Sequence, residues 1–368
     1  MKADFNLDEF TRCLSAVKQA VPNKPNIEAY KGVLLIVEAD SARLTASDGE
    51  VLVGARVKTE AVREAGEALL PTAVLHRILS VSVGETVSLE HEMGRLRVKV
   101  GRAEHFLLCG DPAEYPQVDR DIGGGVEVPV DLLARGIAGT TYATVDHDAR
   151  YALRGVLFHV TDSELRLVGT DTRRLSQFGI PVSRATVARG EGRDVIPTKA
   201  LKVLTSALKL SDEETVTYQT NGSAVMFSTD SIAVWARVVE GRFPKYEQMS
   251  FPLEHETTLK AGPFASYVRQ AEITTDESSQ SIKLTPDGDV LKFSSEAGDK
   301  RKTTTELRYE TGCSVPASDG IRLNPKFVRD ALKIGKADTD VVLRYTGSQH
   351  PVEIECDGVK ALIMSVAQ

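Results

Sequence analysis

The sequence predicts an α+β fold assembled from tandem copies of one unit, and three observations carry that expectation. First, Gly32–Asp48 (GVLLIVEADSARLTASD) aligns without a gap on Gly155–Asp171 (GVLFHVTDSELRLVGTD) at a constant offset of 123 residues. Gly, Val, Leu, Val, Arg, Leu and Asp recur in register, and a more diverged copy, VLKFSSEAG, occupies Val290–Gly298. Second, the segment from Leu70 (LPTAVLHRIL) resembles that from Ile196 (IPTKALKVL), and Asn324-Pro325 opens a third version. Third, the hydrophobic period changes within each copy from helical to alternating. Units that cannot bury an apolar face alone must lean on their neighbours, so recurrence at this scale speaks for architecture before local propensity does.

Each element follows from its own residues. Phe10, Leu14 and Val17 recur at helical spacing, as do Val74, Leu75, Ile78 and Leu79, and Leu201, Leu204 and Leu208. Proline at the starts of the helices that open at Pro71, Pro197 and Pro325 suits its fixed φ and missing N–H. The predicted helices cover 8–20, 71–80, 129–143, 197–209, 262–274 and 324–336. Strands follow them, as in Val225-Met226-Phe227 and Val341–Tyr345, with turns at Asn221-Gly222 and Asp287-Gly288. Six half-units of about 60 residues each tile the chain. Related punctuation at Ala113–Pro116 and Gly241–Pro244 places domain boundaries near Gly124 and Pro252, giving domains 1–124, 125–252 and 253–368.

Composition excludes several classes. With 368 residues, 42% hydrophobic and 26% charged, the chain reads as a soluble protein of more than one domain. No apolar run approaches the roughly 20 residues of a membrane helix, and MKADFNLDEF lacks a signal-peptide pattern. The cysteines, Cys13, Cys109, Cys313 and Cys356, lie far apart without metal-ligand spacing, so a reducing cytoplasm and no metal or cofactor are expected.

The net charge is −7, yet the six predicted helices hold twelve basic and five acidic residues. Cationic helices in an anionic protein suit contact with a phosphate backbone, which attracts charge without reading sequence. Lys199, Lys202, Arg329 and Lys333 are the helix cations expected to face it.

On these residues the chain resembles the bacterial DNA polymerase III β subunit family, the sliding clamps. The most specific pieces are Arg150–Phe158 (RYALRGVLF), Thr170–Leu175 (TDTRRL), Gly241–Tyr246 (GRFPKY) and the AVPNKP stretch at 20–25, in order along the whole length. The resemblance implies three clamp domains per protomer and a head-to-tail homodimeric ring around duplex DNA. It implies a non-catalytic factor whose partners are DNA, a second copy, the polymerase III α subunit, the clamp loader and other clamp-binding proteins. By the same resemblance Lys24, His147, Arg150 and Tyr151 are DNA contacts. Leu153, Thr170, Thr172, Arg174, Leu175, Pro244, Met249, Leu362 and Met364 form a partner-peptide pocket with Leu and Met walls and an Arg rim. Phe106, Leu108 and Ile273 belong to the protomer contact, and Glu272 replaces an apolar residue of some relatives there.

The chain departs from the family pattern at Ala152-Leu153-Arg154-Gly155, at Glu28-Ala29-Tyr30 and in its tail, Met364–Gln368, which points to a divergent or second-copy clamp with altered clients. Two other classes compete. A hydrolytic or metal site would draw on Asp146-His147-Asp148 and Thr170-Asp171, but the spacing matches no zinc or phosphohydrolase signature. A protein-binding repeat scaffold would have no use for cationic helices in every unit.

Overall fold

The computed structural model describes residues 1–116, 122, 124–145, 151–182, 192–249, 251–275, 280–297, 301–310 and 320–366. The chain forms two compact units, Met1–Asp131 with Val182–Val238, and Leu132–Pro181 with Val239–Gln368. The repeats predict three domains, whereas contacts group the chain in two. The reason is visible in the first unit, where Ile232–Arg237 pairs antiparallel with Val51–Val57 across the boundary expected near Gly124. Recurrence follows the sequence, while compactness follows backbone hydrogen bonds.

All six predicted helices are present: α1 (Leu7–Val17), α2 (Thr72–Val81), α3 (Val130–Thr141), α4 (Thr198–Leu208), α5 (Ala261–Glu272) and α6 (Pro325–Leu332). The Asn6 side chain caps α1 by accepting from the Glu9 N–H at 3.0 Å, and Asn324 caps α6 through Lys326 N–H at 2.9 Å. Pro325 lies within the first turn of α6, but Pro71 and Pro197 stand one residue earlier, as N-caps of α2 and α4. α1 buries Phe10, Cys13, Leu14 and Val17 as one stripe, and Phe10 packs on Phe5 at 4.9 Å. α2 departs from its expected pattern. Leu75 and Leu79 are buried, while Val74 and Val81 are exposed.

The first unit carries a five-stranded sheet, Ala61–Glu64, Lys2–Asn6, Thr86–Glu92, Arg95–Val100, Ala103–Leu108, in that spatial order. Its second sheet joins Val33–Val37, Ala42–Ser47 and Val51–Val57 to Ile232–Arg237, Ala224–Ser228 and Thr215–Thr220. The second unit contains the antiparallel run Gly155–Val160, Glu164–Thr170, Arg174–Pro181, Val359–Ile363, Val352–Cys356, Asp340–Tyr345, His255–Lys260. A four-stranded sheet runs Arg301–Arg308, Val290–Ala297, Ile282–Asp287, Ile321–Leu323, with Phe293 packed on Phe264 and Tyr267 of α5.

The repeated sequence folds twice into one hairpin. Leu34, Leu35, Ile36 and Val37 face Thr45, Leu44, Arg43 and Ala42, and Leu157, Phe158, His159 and Val160 face Val168, Leu167, Arg166 and Leu165. The register is identical after the 123-residue shift. The turns that follow match too. Asp48 accepts from the N–H groups of Glu50 and Val51, and Asp171 from those of Arg173 and Arg174. Asp171 is therefore engaged as a turn cap, the local bonding that makes Asp a turn residue, and the alternative of a metal site at Thr170-Asp171 fades. Among the described residues no cluster of three or more His, Cys, Asp or Glu side chains is suited to a metal. Asp146, His147 and Asp148 lie outside the described residues. In the second unit α3 rests close on its sheet because Gly136 and Gly139 leave room. A Cβ at Gly139 would stand 2.5 Å from Val359 Cγ2, and one at Gly136 would stand 2.8 Å from the Phe178 ring. No helix among the described residues is long and apolar enough to cross a membrane.

Candidate functional site

The strand Arg174–Pro181 pairs with Val359–Ile363, setting Leu175 opposite Leu362 and Gln177 opposite Lys360. Side chains alternate across a strand, so Leu175, Gln177 and Gly179 share one face while Arg174, Ser176 and Phe178 share the other. Tyr246, Met249, Phe251 and Leu253 lie over the first of these faces. Tyr246 is buried and held by His159, whose Nδ1 lies 2.8 Å from its hydroxyl, with the Arg166 guanidinium 5.9 Å from its ring. Between them is a groove of about 180 Å³, also lined by Gln177, Glu353 and Lys360. That is below the roughly 300–1,000 Å³ of a small-molecule pocket. It suits a side chain or two of a peptide, and exposed Met249 supplies an adaptable wall.

The predicted pocket residues divide here. Leu175, Met249 and Leu362 come together at the groove. Leu153 is core, and Thr170 is buried with its hydroxyl donating to the Arg174 carbonyl at 2.7 Å. Thr172 is exposed at a positive φ of 75°, in the turn. Pro244 sits two residues before Tyr246, whose N–H bonds its carbonyl. Met364 is exposed, with its N–H on the Arg173 carbonyl.

Arg174 is not a rim residue. Alternation turns it to the opposite face from Leu175, and it is only 6% exposed. Its Nε donates to Asp171 at 2.9 Å, Nη1 to Asp330 at 2.8 Å and Nη2 to the Tyr142 carbonyl at 2.5 Å. The guanidinium also lies 4.3 Å from the centre of the Phe327 ring. Asp330, 5% exposed, accepts in addition from Lys326 at 3.0 Å and Lys333 at 2.6 Å. Burial alone would raise its pKa, but the bonds from Lys333, Arg174 and Lys326 outweigh burial and bring it down to about 2.

The helix cations divide as well. Lys333 is bound to Asp330, and Arg329 donates to Glu272 at 2.8 Å. Lys199 pairs with Asp48, whose carboxylate is buried beneath it. These three charges are spent inside the molecule, on Asp48, Glu272 and Asp330. Arg12 and Arg135 are likewise matched by Asp212 and Asp357. Lys202, Lys209, Arg269 and Lys336 are exposed with no side-chain partner among the described residues, as is Lys24 in its loop. His147 and Arg150 lie outside the described residues. Tyr151 opens a short 3₁₀ turn, Tyr151–Leu153, and its side chain is likewise outside them.

Phe106 and Leu108 are 67% and 77% exposed on Ala103–Leu108, the edge strand of the five-stranded sheet. Beside it Val74, Ile78, Val81 and Val83, with Arg77 and His105, line a concavity of about 780 Å³. In the other unit Ile273 is 73% exposed just after α5, and Arg301–Arg308 is an edge strand. Gln177, Lys360, Tyr246 and Phe251 are groove residues that sequence reasoning missed. Period-two counting from Leu175 and Leu362 would have found the first two, and Tyr246 closes the Gly241–Tyr246 motif.

The open surface features are thus a shallow apolar groove, unpaired cations on helices and one edge strand with exposed apolar side chains. Solved DNA polymerase sliding clamps have this fold. The β subunit from Streptococcus pyogenes superposes with a TM-score of 0.91 at 19% identity over 100% of both chains. A sliding clamp from Pseudomonas aeruginosa bound to griselimycin gives 0.89 at 22% identity, again over 100% of both. The family model for the DNA polymerase III beta subunit N-terminal domain matches residues 1–119, and that for its central domain matches 127–245. The beta sliding clamp of Lactococcus lactis is 24% identical over 370 residues, covering 96% of this chain and 95% of the relative. That of Salmonella typhimurium is 25% identical over 360 residues, covering 96% of each. The chain belongs to the DNA polymerase III beta subunit family, whose members are processivity clamps rather than catalysts.

Proposed function

We propose that two copies of the chain close head to tail into a ring that encircles duplex DNA in the cytoplasm and tethers polymerase and other clients. Each protomer supplies three domains, 1–124, 125–252 and 253–368. The observation that carries this reading is the bare edge strand Ala103–Leu108 with exposed Phe106 and Leu108 beside the apolar concavity of α2. An apolar patch on an unpaired edge invites aggregation unless another surface covers it. A second copy does so with its Arg301–Arg308 edge and Ile273. DNA is held loosely, without sequence readout, by Lys24, Lys202 and the other unpaired helix cations, joined by His147, Arg150 and Tyr151. Clients, among them the polymerase III α subunit and the clamp loader, insert an apolar side chain at Leu175, Met249 and Leu362.

The test is topological. With a clamp loader and ATP, the protein is retained on nicked circular DNA and is released when the circle is cut. Equal retention on circular and linear forms, or a solution mass near 40.0 kDa at micromolar concentration, would falsify the ring.

A further inference from the structure

The groove does not end at its leucines. Leu175 and Leu362 form one cross-strand row, and Gln177 and Lys360 form the next row on the same face. Beyond them Gly179 presents no side chain, and a second, polar hollow of about 180 Å³ opens between Glu164, Arg166, Gln177 and Lys360. Gln177 and Lys360 thus line both hollows.

The carboxylates around these two residues are already engaged, with Arg344 shared among Glu256, Glu353 and Glu355 and Arg166 holding Glu164. Glu353 and Glu355 both accept from Arg344, at 2.7 Å each, although Glu355 stands directly across from Lys360. Glu164 accepts from Arg166. The ammonium of Lys360 and the amide of Gln177 have no hydrogen-bond or ion-pair partner among the described residues. The floor of the groove therefore holds one unengaged ammonium and one unengaged amide, a single row beyond its apolar end.

We infer that this chain selects clients carrying an acidic side chain two residues from the apolar anchor, with the carboxylate taken by Lys360 and Gln177. The spacing follows from backbone geometry. Rows on one strand face repeat every two residues, about 6.6–6.8 Å, and an extended peptide lying along the groove has the same repeat. An acidic side chain complements an unmatched ammonium, and the Gln177 amide donates to the same group. The inference rests on the groove being the client site, and the test separates the two.

Capped, amidated heptapeptides with a leucine anchor and Asp two residues before or after it, and their Asn counterparts, are titrated against the full chain by fluorescence anisotropy. In one of the two orientations the Asp peptide binds roughly two- to five-fold tighter than its Asn counterpart, the range of an exposed ion pair. That preference disappears in Lys360→Ala, inverts in Lys360→Glu and shrinks at 1 M salt, where the screening length falls to about 3 Å. Lys360 is exposed, so Lys360→Ala keeps the fold, and circular dichroism checks Lys360→Glu, which faces Glu355. Met249→Asp, at another exposed position, weakens all the peptides alike. Equal binding of Asp and Asn peptides in both orientations overturns the inference, as does a preference that survives Lys360→Ala. Peptides that ignore Met249→Asp, or fail to bind at all, overturn the groove itself and the inference with it.

Discussion

Replacing Asp330 by Asn keeps its volume and removes the one charge that gathers Arg174, Lys326 and Lys333. Two considerations set the size of the loss. A carboxylate whose pKa falls from 3.8 to about 2 on folding is stabilised by roughly 2–3 kcal/mol at neutral pH. Orphaning a buried ion costs about 3–5 kcal/mol, but Arg174 keeps Asp171 and the Tyr142 carbonyl, which favours the lower figure. We expect about 2 kcal/mol, which is roughly a 30-fold change in a local opening equilibrium. Hydrogen exchange followed by mass spectrometry reads this directly as faster exchange in α6 and in Arg174–Pro181. Fluorescence would miss it, because Trp235, the only tryptophan, lies in the other unit. The pH dependence has a fixed sign. A depressed carboxylate stabilises above its unfolded pKa of 3.8 and loses that contribution as pH falls toward 2. The calorimetric advantage of wild type over Asp330→Asn therefore narrows between pH 4 and pH 2. An exchange difference below twofold at neutral pH, or an advantage that grows on acidification, refutes the account.

Four more outcomes follow from the same contacts and surfaces. Phe106→Ser combined with Leu108→Ser removes the apolar edge, and sedimentation should shift from dimer to monomer without loss of secondary structure. Lys202→Glu should weaken retention on DNA and flatten its salt dependence by about one counterion, as for a single phosphate contact. Lys199→Ala should instead cost stability. Burial raises the Asp48 pKa, but Lys199 and the backbone N–H groups of Val51 and Glu50 hold it below the usual range. Wild type should thus lose its lead over Lys199→Ala as pH drops through that depressed pKa, as a thermal melt at several pH values will read. Gly139→Ala brings a methyl to 2.5 Å from Val359 and should cost about 1–3 kcal/mol in denaturant unfolding of the second unit.

Much of the architecture was legible because it is written in short-range periodicity. All six helices lie close to the spans predicted for them, and the 123-residue repeat becomes two hairpins of one register. Charge was less legible, because counting residues says nothing of their partners. Lys199 is spent on Asp48 and Arg174 on Asp330, 156 residues away, and no local pattern announces such pairs. Period two was enough to turn Arg174 away from Leu175, and it also points to Gln177 and Lys360. The two-unit grouping was hidden for a different reason. Strand pairing between successive repeats is a long-range backbone property, and Ile232–Arg237 meets Val51–Val57 without any matching sequence signal.

The twin aspartates, Asp48 and Asp171, show how duplication can divide labour. Both keep the backbone task of closing a tight corner with one oxygen. The second oxygen is left free to change allegiance, fastening a neighbouring helix through Lys199 in one copy and the arginine that opens the next strand in the other. A scaffold that assigns shape to one atom and affiliation to another can acquire a new attachment in a single copy while its sibling stays as it was.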